Sequence, residues 1–115
     1  PVQGKPRVVF CSTDACAQSF GFGGRAALTF GVAGTAVSPR GWQSYYVQHE
    51  LIHHLQAQHW GVIAVMFKPG WVIEGMAYAL SGDPRPQLPE PYQAEREAFR
   101  AWLKQANVLR IWELL

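Results

Sequence analysis

The sequence predicts an α+β fold. Three observations carry that prediction. Short runs rich in β-branched and aromatic residues fall within the first 39 positions: "RVVF" (7–10), "RAALTF" (25–30) and "GTAVSP" (34–39). Residues 42–60 then contain no Gly or Pro, and Tyr46, Val47, Leu51, Ile52 and Leu55 recur at helical spacing. Two further helical stretches, starting near Trp71 and Pro91, each follow a break rich in Pro and Gly.

The elements follow in order. "RVVF" is a strand candidate. "STDACAQSFGFGG" is turn-rich, with room for one helical turn from Thr13 to Ser19. "RAALTF" and "GTAVSP" read as two strands, with Gly31 and Gly34 near the bend between them. The long helix stops at Gly61. "VIAVMF" (62–67) is apolar enough for either a buried strand or a continuation of the helix. Lys68-Pro69-Gly70 breaks the chain, and "WVIEGMAYALSG" reads as a second helix, Trp71 to Leu80, ended by Gly82.

"DPRPQLPEP" (83–91) holds four of the eight prolines and predicts an extended linker over the surface. Pro91 is placed to open a third helix, where its missing N–H costs nothing. In "YQAEREAFRAWLKQA", Phe99, Trp102 and Leu103 share one face, and Asn107 marks the expected end. "VLRIWELL" is apolar enough to dock back on the rest. The expectation is one domain over residues 1–115: a small mixed or antiparallel sheet packed on three helices.

Composition narrows the function. Apolar residues make up 49% and charged residues 16%, with five Trp, which is the balance of a globular chain with a core. A scattered net charge of +2 excludes a nucleic-acid surface. No apolar run approaches the roughly 18 residues of a membrane span. Cys11 and Cys16 are separated by four residues, and two readings stand: a short-loop disulfide, or two reduced thiols. The chain begins at Pro1 without a Met, which leaves room for a removed signal or anchor. An extracytoplasmic or membrane-tethered setting is therefore favoured over a cytoplasmic one.

The chemistry concentrates in "VQHELIHHLQ" (47–56). Residues four apart on a helix lie on one face, so His49 and His53 project together and can share one ion. Glu50 sits about 100° around the helix from His49, beside the same site, where a carboxylate can take a proton from water. A catalytic zinc wants a third protein ligand and one open position. Glu74 supplies it: it lies on the next helix, among Trp71, Val72, Ile73 and Met76, where an unpaired carboxylate would be costly to bury. Gly75 and Ala77 are small enough to let that helix approach the His49–His53 helix closely.

His49-Glu50-x-x-His53 followed by Trp71-x-x-Glu74-Gly75-x-Ala77 resembles the gluzincin metallopeptidases. The likeness is greatest to small bacterial peptidase-MA-like proteins, including the minimal forms called minigluzincins. It covers about residues 47–80; residues 83–115 carry no motif of that family. The resemblance implies a zincin-like α+β fold, Zn²⁺ held by His49, His53 and Glu74, and Glu50 as general base. It also implies a peptide or protein substrate. Thermolysin-like members carry an Asp four residues after the ligand Glu; Tyr78 stands there in this chain. Tyr78 is a candidate to orient His49 or to donate to the transition state. Tyr45, Tyr46, Tyr92, His54 and His59 also stay open as donors. His54 points off the metal face and reads as a surface or outer residue, and His59 as a helix-end residue favoured by the dipole.

Zincin sheets present an edge strand to which a peptide adds as a further strand. In "RAALTFGVAGTAVSP", Gly31, Ala33, Gly34 and Ala36 would leave backbone accessible for that, or the stretch is a plain hairpin packed on the helices. A chain this short offers the cleft only one evident wall. The rival to an active peptidase is therefore a non-catalytic or latent zinc module that binds a partner. A metal-free docking domain with Trp-rich helices is the second rival.

Overall fold

The computed structural model describes residues 7–115; the first six positions of the expected 1–115 domain lie outside the described residues. Val8–Phe10, Ala27–Phe30 and Gly34–Val37 form three strands, β1, β2 and β3. Their order in the sheet is β1-β3-β2. β1 runs parallel to β3 and β2 antiparallel to it, so the sheet is mixed. Asp14–Ser19 forms helix α1 between β1 and β2, opened by the Thr13 hydroxyl, which accepts from the Cys16 N–H. Cys11 and Cys16 are joined as a disulfide, which selects one of the two cysteine readings.

Alternation along the strands gives the sheet two working faces. Leu28 and Ala36 stand opposite each other and pack into a cluster with Cys11, Ala17 and Phe22. Thr29 and Thr35 form the next pair, their hydroxyls 2.9 Å apart, on the face turned to the long helix α2, Ser44–Trp60. β2 is an outer strand with one free edge. Gly34 and Ala36 belong to β3, which is paired on both sides, so their backbone is not open to an added strand; among the described residues β1 and β2 are the outer strands.

Val62–Phe67 is a short helix, α3, and not a buried strand. Ile63, Met66 and Phe67 are 74%, 76% and 83% exposed, so apolarity here does not mean burial. Gly61, at φ +87°, lets the chain turn sharply between α2 and α3. Gly70–Leu80 is α4 and Tyr92–Leu103 is α5. Pro91 sits just before α5, one residue ahead of its first turn. Val72, Met76, Ala77 and Phe99 fill the core formed by α4 and α5.

Gly75 serves this pair of helices. A Cβ at Gly75 would lie 2.4 Å from the Glu95 carbonyl oxygen of α5, so its smallness brings α5 close, not α2 as the sequence suggested. α5 ends at Leu103, four residues before the expected Asn107, and the Asn107 side chain instead caps a 3-10 turn, Val108–Arg110. Ile111–Leu114 (α6) docks back through Trp112: its ring stacks on His59, and its carbonyl accepts from Trp60 Nε1 at 3.0 Å.

The Pro-rich segment is tied down rather than lying loosely on the surface. Leu88 is buried, and the Arg96 guanidinium of α5 donates to the carbonyls of Arg85 and Pro86 at 2.9 and 3.1 Å. Among the described residues no helix is long and apolar enough to cross a membrane.

Candidate metal centre

α2 presents His49 and His53 one turn apart, and α4 brings Glu74 against both. His49 Nε2 lies 3.2 Å from Glu74 Oε2, His53 Nε2 lies 3.5 Å from Glu74 Oε1, and the two Nε2 atoms are 3.1 Å apart. All three ligand atoms fall within 4.8 Å of one another. Ligand bonds of 2.0–2.2 Å to a tetrahedral ion put neighbouring donors about 3.3–3.6 Å apart. The imidazole nitrogens and the carboxylate oxygen nearest each of them stand 3.1–3.5 Å apart, close to that spacing, so the three residues could hold such an ion. Two imidazoles and a carboxylate suit several divalent ions.

The charges of the three side chains are strongly coupled. Burial pushes the Glu74 carboxyl up, but hydrogen bonds and charge from His49 and His53 pull it well below the usual carboxylate range. Burial pushes His53 down, yet Glu74, then Glu50 and Gln56, outweigh it and raise the imidazole to about 8.

Gln56 is the residue sequence reasoning missed. It is fully buried, three positions after His53 on α2. Its amide nitrogen donates to the Ile73 carbonyl at 2.9 Å, which turns its oxygen toward His53 Nδ1 at 2.8 Å. Nδ1–H donates to that oxygen, leaving Nε2 as the free lone pair of the neutral ring. The i,i+3 spacing after a ligand His was the available signal. Thr29 gave no such signal, because only the fold brings it to α2. Its hydroxyl donates to Glu50 Oε2, fixing a carboxylate that is itself buried. Glu50 thus lies outside the three-donor group and beside it, on the cleft.

Tyr78 meets His49 through its ring, edge to face at 4.4 Å, and packs on Tyr92 at 5.2 Å. Burial first, then the charge of Glu74, keeps its hydroxyl protonated far above neutral pH. His54 is buried, not a surface residue, and its Nδ1 has no partner among the described residues. His59 is at the end of α2, stacked on Trp112.

The donors open into a cleft of about 630 Å³. β2 lines it, and so do Asp83, Arg85, Pro89 and Tyr92, so the Pro-rich segment adds lining that the short chain did not promise. No family model, no curated protein and no solved structure matches this chain.

Proposed function

We propose that the protein is a zinc-dependent metallopeptidase of the gluzincin type, with a zincin-like arrangement of sheet and helices. The observation that carries the proposal is the convergence of His49, His53 and Glu74 on one point, at the floor of a cleft that Glu50 also lines. These three residues would hold the ion. Zinc bound there supplies a Lewis acid that lowers the pKa of water and polarises a carbonyl.

The chain's own residues do the rest. Glu50, with Oε2 held by Thr29, accepts a proton from water and returns it to the leaving amine nitrogen. Gln56 keeps His53 in the tautomer whose Nε2 faces Glu74. Tyr78, protonated and lining the cleft, is the donor to a developing oxyanion. The free edge of β2 offers backbone groups to an extended peptide. The Cys11–Cys16 disulfide supports an extracytoplasmic or membrane-tethered setting.

The test is metal content beside hydrolysis of an internally quenched peptide library. The wild type binds one zinc per chain and cleaves. Glu50→Gln keeps the zinc and loses on the order of 10²–10⁴-fold in rate. Full activity in Glu50→Gln removes Glu50 from its role. A near-zero zinc stoichiometry, unchanged in His49→Ala, overturns the proposal. Zinc binding without cleavage points to the non-catalytic module instead.

A further inference from the structure

The two ends of the cleft differ in chemistry. α2 and β2 run side by side past the donor triangle. Just before β2, the Ala26 carbonyl accepts from Ser38 N–H at 2.8 Å and lies against Gly41, three residues ahead of α2. Just past β2, Gly31 abuts Val62, the first residue of α3. Thr29 and Glu50 join the middles. From Ala26 to Gly31 the chain runs extended for about 17 Å, so the two ends of the cleft are about five residues of extended peptide apart.

At the first end, Arg25 and Arg40 line the cleft, both exposed. Among the described residues neither has an acidic partner. Arg85 lies on the same side over the rings of Tyr45 and Tyr46, but Asp83 holds it by several hydrogen bonds and cancels its charge. The uncompensated charge at that end therefore belongs to Arg25 and Arg40. At the other end the lining is Val62, Val65 and Met66, with no charged group between them.

We propose that this cleft selects extended peptides that carry a carboxylate side chain on one side of the central bond, against Arg25 and Arg40, and a large apolar side chain on the other, against Val62, Val65 and Met66. The inference names the substrate class and rests on the peptidase reading above. Charge complementarity supplies the first contact and burial of apolar surface the second. An exposed charge pair contributes a factor of about 1.4 to 5 in binding, so two arginines, with repulsion of the wrong charge, give about tenfold discrimination.

The probes are fluorescein-labelled octapeptides joining a Phe-Leu half to a Glu-Glu or a Lys-Lys half, each made in both chain orders. Anisotropy on the EDTA-treated full chain reads binding without hydrolysis. In at least one chain order, the Glu-Glu probe binds about tenfold tighter than its Lys-Lys counterpart, and the preference shrinks at 1 M salt. Arg25→Glu with Arg40→Glu inverts the preference, while Arg7→Glu with Lys104→Glu, the same change in net charge away from the cleft, leaves it intact. Val65→Asp weakens the tighter-binding probe. Equal binding of the two probes in both orders, or a preference that survives Arg25→Glu/Arg40→Glu, overturns the inference. Hydrolysis by the zinc-loaded chain is read separately. Cleavage with no charge preference sinks the substrate class and spares the peptidase; a charge preference with no cleavage does the reverse.

Discussion

Gly75→Ala gives the sharpest test of how the centre is held. Ala is a better helix former than Gly by about 1 kcal/mol, so propensity alone predicts stabilisation of α4. Packing predicts the opposite. The new Cβ would stand 2.4 Å from the Glu95 carbonyl oxygen, 3.0 Å from its carbon and 3.1 Å from Phe99 Cβ. Backbone cannot rotate away, so α4 and α5 must part by about 1 Å to reach ordinary contact. A gap of that size forfeits a quarter to a half of each dispersion contact across Val72, Met76 and Phe99. Overpacking of this kind costs about 2–3 kcal/mol, and the propensity gain leaves a net loss of about 1–2 kcal/mol. At about 4 °C per kcal/mol for a chain of this size, Tm falls by about 4–8 °C. Gly70→Ala is the control on the same helix. Its Cβ would meet the Glu95 carboxylate at 2.7–3.0 Å, the far end of a flexible side chain that can swing aside. Thermal melts followed by circular dichroism should show Gly70→Ala within about 2 °C of wild type and Gly75→Ala well below it. Equal melting of the two variants would refute the backbone clash. Because Glu74 is the neighbour of Gly75, the same variant should also bind zinc more weakly in a competition titration.

Further outcomes follow from the same geometry. Gln56→Leu frees the His53 ring and should lower zinc affinity about 10- to 100-fold in a chelator competition, with little change in fold. Zinc at 100 times its Kd should stabilise the chain by about 2.7 kcal/mol, seen as a Tm rise that EDTA abolishes and that Glu74→Ala lacks. The metal-free chain should lose stability as pH rises from about 6.5 through about 8. His53 is raised in the folded state, so its contribution is complete below its ordinary 6.5 and gone above about 8. Glu74 is lowered, so its contribution is present above its ordinary 4.5 and fades as pH falls below that. Urea titrations across pH 2–9 check both limbs, and His53→Gln should flatten the alkaline one. Arg96→Met removes the fork that holds the Arg85 and Pro86 carbonyls, costing about 3 kcal/mol and exposing residues 83–91 to limited proteolysis.

Much of the centre was legible in the sequence because it is local. Backbone hydrogen bonding sets the helical repeat, so an i,i+4 pair such as His49 and His53 faces one way whatever surrounds it. The breaks at Gly61 and Lys68-Pro69-Gly70 likewise mark a turn back, and α4 carries Glu74 to the two imidazoles. The α+β class and the places of the three strands, though not their exact ends, followed from residue type and from where Gly and Pro stand.

What stayed hidden is what joins segments distant in the chain. Thr29 reaches Glu50 across 21 positions, and no periodicity encodes that contact. Gly75 was read as an opening toward α2 and faces α5, because the rotation of α4 is decided by all of its neighbours together. "VIAVMF" looked like core on composition and is largely exposed, since burial depends on whether another element arrives to cover it. Arg25, Arg40 and Arg85 stand up to 60 positions apart yet line one cleft. Helical geometry could be read from ten residues; the orientation of one element against another is a balance of many weak contacts, and only the folded chain adds them up.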